Sequence, residues 1–326
     1  MRKNKKPLDQ QVFFITGATK GIGLSTVRLA VEQGAKVFMI ARDGQALLRI
    51  QEKMKLMGYE TDFSVCDVSS EEELQLSVEK CLNTFGRIDT FINNAGTTLY
   101  DSIVGMSIEE ARQVFETNFW GVVNGSRVAI PVLKNSQGTL INIGSVLSEV
   151  PIPILGIYSA SKYAVRAFTT ALRRELIGEN HSVQVTLITP SAINVSRSYE
   201  VNEAFGALPP NDKEHSSDRV GNAILLAATT SQREIRIGWA SHILPLVENI
   251  FPQIQDRIMS SFFMDNNPRE KLFEPRKRKE ILPAHLIKSS LLTELSCRTN
   301  LFSCGVQATA LVWLFINKRP VSSITS

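Results

Sequence analysis

Between residues 12 and about 240, short apolar runs alternate with longer stretches whose apolar positions recur every three or four residues. The short runs read as buried β-strands and the longer stretches as amphipathic helices. Strands are expected at Val12–Thr16, Lys36–Ile40, Thr61–Cys66, Ile88–Ile92, Gly138–Ile143, Val183–Ile188 and Glu234–Ile237. Helices are expected over 21–33, 44–57, 71–85, 108–134, 158–179 and 217–230. Apolar strands separated by helices predict a parallel sheet covered on both faces. The expected fold is α/β, a doubly wound parallel sheet of about seven strands, with ligands at the carboxyl ends of the strands. No internal repeat at solenoid periods interrupts the rhythm.

The pattern changes after about residue 265. Asn266-Asn267-Pro268 leads into charge-rich sequence, then a Ser/Leu segment, and the apolar stretch Leu301–Ile316 precedes Lys318 and Arg319. One folded domain over 10–264 and a tail over 265–326 are therefore expected. Leu301–Ile316 is shorter than the ~20 residues that cross a bilayer as a helix. With Trp313 and the basic run Arg276–Lys279 it suits membrane association at the lipid interface. A docked C-terminal helix and a partly disordered tail are the competing readings.

Composition alters this picture little. The chain has 326 residues, 43% hydrophobic and 21% charged, with a net charge of +4. These values are ordinary for a globular protein, and so mild a charge predicts no nucleic-acid partner. Arg2, Lys3, Lys5 and Lys6 at one end and Arg276–Lys279 near the other read as solvated charge. Cys66, Cys81, Cys297 and Cys304 form no Cys-x-x-Cys pair and have no His at ligand spacing, so no metal site is expected. Cys66 and Cys81 fall on a strand and a helix, where they read as small buried hydrophobes. A reducing, cytoplasmic setting follows. No apolar segment of the secretory kind follows the N-terminal lysines, so the sequons at Asn124 and Asn194 carry no weight.

The candidate chemistry begins at Tyr158-Ser159-Ala160-Ser161-Lys162, with Ser145 thirteen residues upstream. Residues four apart on a helix share a face. A phenol with a pKa near ~10 is almost wholly protonated at neutrality, and an adjacent ammonium favours the phenolate. Tyr158 is thus expected to have a lowered pKa and to act as a general acid–base. Ser145 would hydrogen-bond a substrate oxygen. The spacing alone also fits an exposed helix with a stray Tyr–Lys pair, so context decides.

That context is the turn Thr16-Gly17-Ala18-Thr19-Lys20-Gly21-Ile22-Gly23, between the first strand and the first helix. Glycines let a backbone approach a pyrophosphate, and a helix N-terminus offers free N–H groups and a positive dipole. A merely tight turn is the blander reading. The second strand ends Met39-Ile40-Ala41-Arg42-Asp43. Arg42 and Lys20 are suited to clamp a ribose 2′-phosphate. Asp43 lies where a simple count places a ribose-binding acid, but it is expected to cap the next helix. These residues favour NADP(H) over NAD(H).

With these motifs in place, residues 10–240 resemble the short-chain dehydrogenase/reductase family, classical type, including a bacterial subgroup whose substrates are often unassigned. The resemblance also rests on Cys66-Asp67-Val68, on Asn93-Asn94-Ala95-Gly96, and on Asn118, which lies 27 residues before Ser145. It implies a Rossmann-type fold and the catalytic tetrad Asn118, Ser145, Tyr158 and Lys162. Tyr158 would be the acid in ketone reduction and the base in alcohol oxidation. Lys162 would bind the nicotinamide ribose and lower the Tyr158 pKa, Ser145 would polarise the carbonyl, and Asn118 would hold a relay water. The implied cofactor-binding residues are Gly17, Thr19, Lys20, Gly21, Ile22, Gly23, Arg42, Asp67, Val68, Asn94, Ala95, Gly96, Tyr158, Lys162, Pro190 and Ile193. The family's NAD-selecting acid falls at Ala41, in keeping with NADP(H).

One departure stands out. Where the family usually reads Pro-Gly-x-Val/Ile-x-Thr, this chain reads Pro190-Ser191-Ala192-Ile193-Asn194-Val195, so one hydrogen bond to the cofactor is absent or comes from Ser196. Losing it would cost ~1 kcal/mol of affinity. The substrate loop is expected over 194–216, with apolar residues including Tyr199 and Phe205, and Val146, Leu147, Val150, Pro151 and Ile154 on the opposite wall. Either these residues line a pocket for a hydrophobic carbonyl or alcohol substrate, or they only pack a lid. The expected activity is NADP(H)-dependent hydride transfer at a carbonyl or alcohol carbon. A non-catalytic, cofactor-binding regulatory or scaffold protein is the rival. The family implies a homodimer or homotetramer through helices 108–134 and 158–179.

Overall fold

Alternate residues of a strand face opposite sides of its sheet, and in this chain both sides are buried. Phe13 and Ile15 pack in one apolar cluster, Val12 and Phe14 in another. The computed structural model describes residues 5–191 and 216–264. Seven parallel strands, β1 (Val12–Thr16), β2 (Lys36–Ala41), β3 (Thr61–Val65), β4 (Thr90–Asn93), β5 (Thr139–Ile143), β6 (Gln184–Pro190) and β7 (Glu234–Ile237), form one sheet. Their order is β3-β2-β1-β4-β5-β6-β7, the Rossmann-type arrangement expected from the alternating pattern. The described elements lie in the unit Met1–Phe273; a second unit, Glu274–Ser326, lies outside the described residues.

Helices α1 (Gly21–Glu32), α2 (Gly44–Leu56) and α7 (Ser216–Thr229) cover one face. Helices α3 (Glu71–Phe85), α5 (Gly121–Ser136) and α6 (Gly156–Gly178) cover the other. At the centre of the second face, Phe14 stacks against Phe91 at 4.5 Å and Phe38 at 5.5 Å between ring centroids. Side-chain caps fix several helix starts: Asp43 accepts from Ala46 N at 2.9 Å and Ser70 from Glu73 N at 3.2 Å. Asp43 is therefore the N-cap expected of it. Cys66 and Cys81 are buried with free thiols, and burial pushes the Cys66 thiol up to about 11.

Three departures from the expected elements have physical causes. β4 starts at Thr90 because Asp89 turns its carboxylate inward and accepts from the backbone N–H of Val12 at 3.0 Å. The helix expected over 108–134 is α4 (Ile108–Phe115), then a π-helical turn over Glu116–Trp120, then α5. Helices α8 (Ala240–Ile250) and α9 (Pro252–Met264) were not foreseen. Pro245 inside α8 disguises it, while Pro252 at the first position of α9 is an ordinary start signal.

The chain passes from one half of the sheet to the other in the connection from β3 to β4, which leaves a switch point between the neighbouring strands β1 and β4. A ligand crevice lies at the carboxyl ends of the strands at such a switch point. Among the described residues, no helix is long and apolar enough to cross a membrane, and no cluster of potential metal ligands occurs. The apolar segment 301–316 and the basic run 276–279 lie outside the described residues.

Candidate active site

The turn after β1 is built for close approach. Gly17 has φ +67°, and a Cβ there would come within 2.9 Å of Ala95 Cα. A Cβ on Gly23 would lie 2.1 Å from the Gly17 carbonyl oxygen. No larger residue fits either position. Thr16 stitches this turn to the end of β4: its Oγ1 donates to the Ile92 carbonyl at 3.1 Å and accepts from the N–H groups of Asn94 and Ala95 at 2.9 and 3.0 Å. Asn94 Nδ2 returns the bond, to the carbonyls of Thr16 and Gly17 at 2.9 and 3.2 Å. Lys20 occupies the N-cap of α1 and gives no side-chain cap, so the first N–H groups of that helix are left to other partners. Thr19, Gly21 and Ile22 complete the turn.

Arg42 follows β2 and is exposed; its Nη1 lies 3.8 Å from Asp67 Oδ2. Asp67 and Val68 follow β3, and Asp67 Oδ1 accepts from both the N–H and the hydroxyl of Ser69. Arg42 and Asp67 thus share the rim beside the glycine turn. Asp43, occupied in capping α2, offers little to a ribose.

Deeper in, the four candidate catalytic residues come from three places: the π-helical turn, the end of β5 and helix α6. Asn118 sits in the π-helical turn and is fully buried. Such turns inside helices recur at functional sites. Its Oδ1 accepts from Thr97 N at 2.8 Å, and its Nδ2 donates to the Thr97 carbonyl at 2.9 Å and to Ser161 Oγ at 3.0 Å. Ser161 Oγ in turn donates to the Tyr158 carbonyl at 2.7 Å. Gly96 brings the chain past this group: a Cβ there would be 3.3 Å from Asn118 Oδ1 and 3.9 Å from Lys162 Nζ. Ser145 follows β5; its hydroxyl accepts from Leu147 N at 3.1 Å and lies close enough to the Tyr158 phenol to favour its ionised form.

Lys162 lies one helical turn after Tyr158, with Nζ 5.8 Å from the Tyr158 ring centroid. Its ammonium is buried and donates to the Ile143 carbonyl at 2.9 Å. Burial lowers its pKa to about 8. Tyr158 departs from the sequence expectation: burial pushes its phenol up to about 12, against the opposing pull of the nearby Ser145 hydroxyl. The lysine, turned to Ile143, does not offset that desolvation. Shared helical spacing places the two side chains together but does not aim the ammonium at the phenol.

Pro190 ends β6 and is buried; Ile193, Asn194, Val195 and the substrate loop over 194–216 fall mostly outside the described residues, which resume at Ser216. The structure adds Thr97 and Ser161 as site residues and gives Thr16, which opens the glycine motif, the role of stitching the turn to β4. Ser161 lies inside the Tyr158–Lys162 motif on the same helical face, while Thr97 has no motif to mark it.

Comparison with known proteins agrees with this geometry. Residues 11–204 match the family model of the short chain dehydrogenases. An uncharacterized oxidoreductase, YxnA of Bacillus subtilis, is 32% identical over 283 residues, covering 86% of this chain and 80% of its own. Among solved structures, an alcohol dehydrogenase of the archaeon Thermococcus sibiricus complexed with 5-hydroxy-NADP is 26% identical with a TM-score of 0.61; the match covers 70% of this chain and 95% of that one. A short chain dehydrogenase/reductase of Burkholderia phymatum in complex with NAD shares the fold at a TM-score of 0.68 and 24% identity, over 77% of this chain and 96% of its own. Together with a family match over more than half its length, these findings establish that the chain belongs to the short-chain dehydrogenase/reductase family of oxidoreductases.

Proposed function

We propose that the protein is an NADP(H)-dependent oxidoreductase acting on a small hydrophobic carbonyl or secondary alcohol, with residues 10–264 as the catalytic domain and 265–326 as an appended tail. The observation that carries this reading is the buried Lys162 ammonium 5.8 Å from the Tyr158 ring centroid, with the Ser145 hydroxyl near the same phenol. The glycine turn, where added Cβ atoms would collide, and the uncapped start of α1 fit a dinucleotide pyrophosphate. Gly17, Thr19, Lys20, Gly21, Ile22 and Gly23 would hold the phosphates, and Asn94, Ala95, Gly96, Val68 and Pro190 would line the rest of the site. Arg42 at the rim, the capping duty of Asp43 and the absence of an acid at Ala41 favour a 2′-phosphate. The NADP analogue bound by the Thermococcus sibiricus enzyme is in keeping with that choice.

A bound nicotinamide supplies or accepts the hydride. The proton is the work of the chain. A phenol held near 12 is protonated at neutral pH, the form needed to donate to a carbonyl oxygen as it gains charge. Ser145 places a second hydroxyl where it can hold the same oxygen. Lys162, fixed on Ile143, keeps a positive charge beside the reacting groups below about pH 8. Asn118, bonded on both sides of the Thr97 peptide, holds the buried floor behind Lys162 in one arrangement.

The test is direct titration with NADPH and NADH, followed by a panel of hydrophobic carbonyl compounds while reduced-nicotinamide absorbance is read. Preferential NADPH binding with carbonyl-dependent oxidation is expected. Tight binding with no turnover on any compound would instead favour a non-catalytic, cofactor-binding role.

A further inference from the structure

Glu149, four residues beyond Ser145, sits in a closed ring of charge outside the cofactor cradle. Arg236, from β7, pairs with its carboxylate: Nη2 donates to Oε2 at 2.9 Å, while Nη1, 2.6 Å from Oε1, donates to the Ser241 carbonyl. Arg166, from α6, brings Nη2 within 3.1 Å of Glu149 Oε2 and forks onto Glu234 at 2.8 and 3.2 Å. Arg236 Nη2 closes the ring at 3.2 Å from Glu234 Oε1, which also accepts from Thr189 Oγ1 at 2.9 Å. The four side chains are between 18% and 25% exposed, so water screens them only in part. The Arg166–Glu234 fork fixes geometry as well as contributing energy.

The ring joins the elements that carry the chemistry. Arg166 lies one helical turn beyond Lys162 and two beyond Tyr158, on the same side of α6. Thr189 immediately precedes Pro190. Glu149 ends a single 3-10 turn, Val146–Ser148, whose bonds lead back to Ser145: Glu149 N donates to the Val146 carbonyl at 3.0 Å, Ser148 N to the Ser145 carbonyl at 3.0 Å, and Leu147 N to Ser145 Oγ at 3.1 Å. A turn this short has little stability of its own. Glu149 anchors it to β7 and α6.

We propose that Glu149 is a positioning residue for Ser145, acting through its ion pairs with Arg236 and Arg166. The inference rests on the catalytic reading of Ser145. A double-mutant cycle tests it, with NADPH and phenanthrenequinone, a hydrophobic dicarbonyl, as the probe substrate. Glu149→Gln is expected to lower kcat about 10-fold with the KM for NADPH unchanged, because small misplacements of a reacting group cost rate rather than binding. In a Ser145→Ala background the same change should cost less than about 2-fold. Equal losses in both backgrounds would overturn the proposal, marking Glu149 as part of the general scaffold. If Ser145→Ala alone leaves turnover intact, the catalytic reading of Ser145 fails and this inference falls with it. Backbone hydrogen exchange of residues 144–150 needs no substrate: it should quicken in Glu149→Gln, and unchanged exchange would contradict the proposal. Arg236→Lys, which keeps the charge but loses the guanidinium that bonds Ser241 and Glu149 together, serves in the same cycle where Glu149→Gln does not fold.

Discussion

Lys162 donates from Nζ to the carbonyl oxygen of Ile143 at 2.9 Å, tying the middle of α6 to the carboxyl end of β5. The bond places a buried ammonium at the floor of the crevice, with a carbonyl rather than a carboxylate as its hydrogen-bond acceptor. Desolvation dominates, and the pKa falls to about 8.

The pH dependence follows from that value. Below about pH 8 Lys162 is charged, and above it the charge is progressively lost. Carbonyl reduction should therefore hold a plateau on the neutral side and decline through about pH 8. Tyr158, protonated up to about 12, adds no limb in that range. Oxidation of an alcohol needs the phenolate and should rise with pH until the Lys162 limb intervenes. Initial rates in both directions check the pair of profiles.

A buried charge without an acidic partner also weighs on the fold. In the native state Lys162 holds its proton less tightly than in the unfolded chain, so native stability should rise as pH goes from about 8 towards 10.5. Lys162→Met should abolish turnover yet raise the thermal midpoint at neutral pH by about 2 °C or more. Calorimetry of the two proteins decides; a lowered midpoint would mean that the bond to Ile143 outweighs the desolvation.

Cofactor choice turns on Arg42. Its pairing with Asp67 is long and exposed, so the guanidinium gives up little by turning to a phosphate. Arg42→Ala should weaken NADPH binding about 10- to 100-fold, the worth of one or two charge-assisted hydrogen bonds, and leave NADH affinity nearly unchanged. Fluorescence titration with both nucleotides measures the ratio.

Asn118 is the reverse case, a polar side chain whose loss damages the structure. Asn118→Ala strips a partner from both the N–H and the carbonyl of Thr97 and from Ser161. Unpaired buried groups of this kind cost about 1–3 kcal/mol each. Urea unfolding should show a loss of about 2–4 kcal/mol alongside reduced turnover.

Most of the fold could be read in the sequence because its strands are buried on both faces and stand out as apolar runs. Val12–Thr16 and Glu234–Ile237 have the bounds expected of them. The glycine turn was equally legible, since a Cβ at Gly23 meets the Gly17 carbonyl and leaves no alternative residue. What escaped depends on geometry that period alone does not encode. The π-helical turn at Asn118 lies inside a pattern that reads as unbroken helix. The raised pKa of Tyr158 reflects where the Lys162 ammonium points, and spacing fixes only which face it shares. The Glu149 ring joins residues up to 87 positions apart, which no local motif reveals.

The central claim is that Tyr158 moves the proton, and Tyr158→Phe tests it most directly because it removes one hydroxyl and little else. The measurement is NADPH affinity and carbonyl-dependent turnover on the same preparation. The account predicts near-normal NADPH binding with turnover lowered by at least about 100-fold, the scale of a lost general acid. Turnover retained at the level of the unaltered enzyme would contradict it and leave the spacing of Tyr158 and Lys162 without a catalytic role.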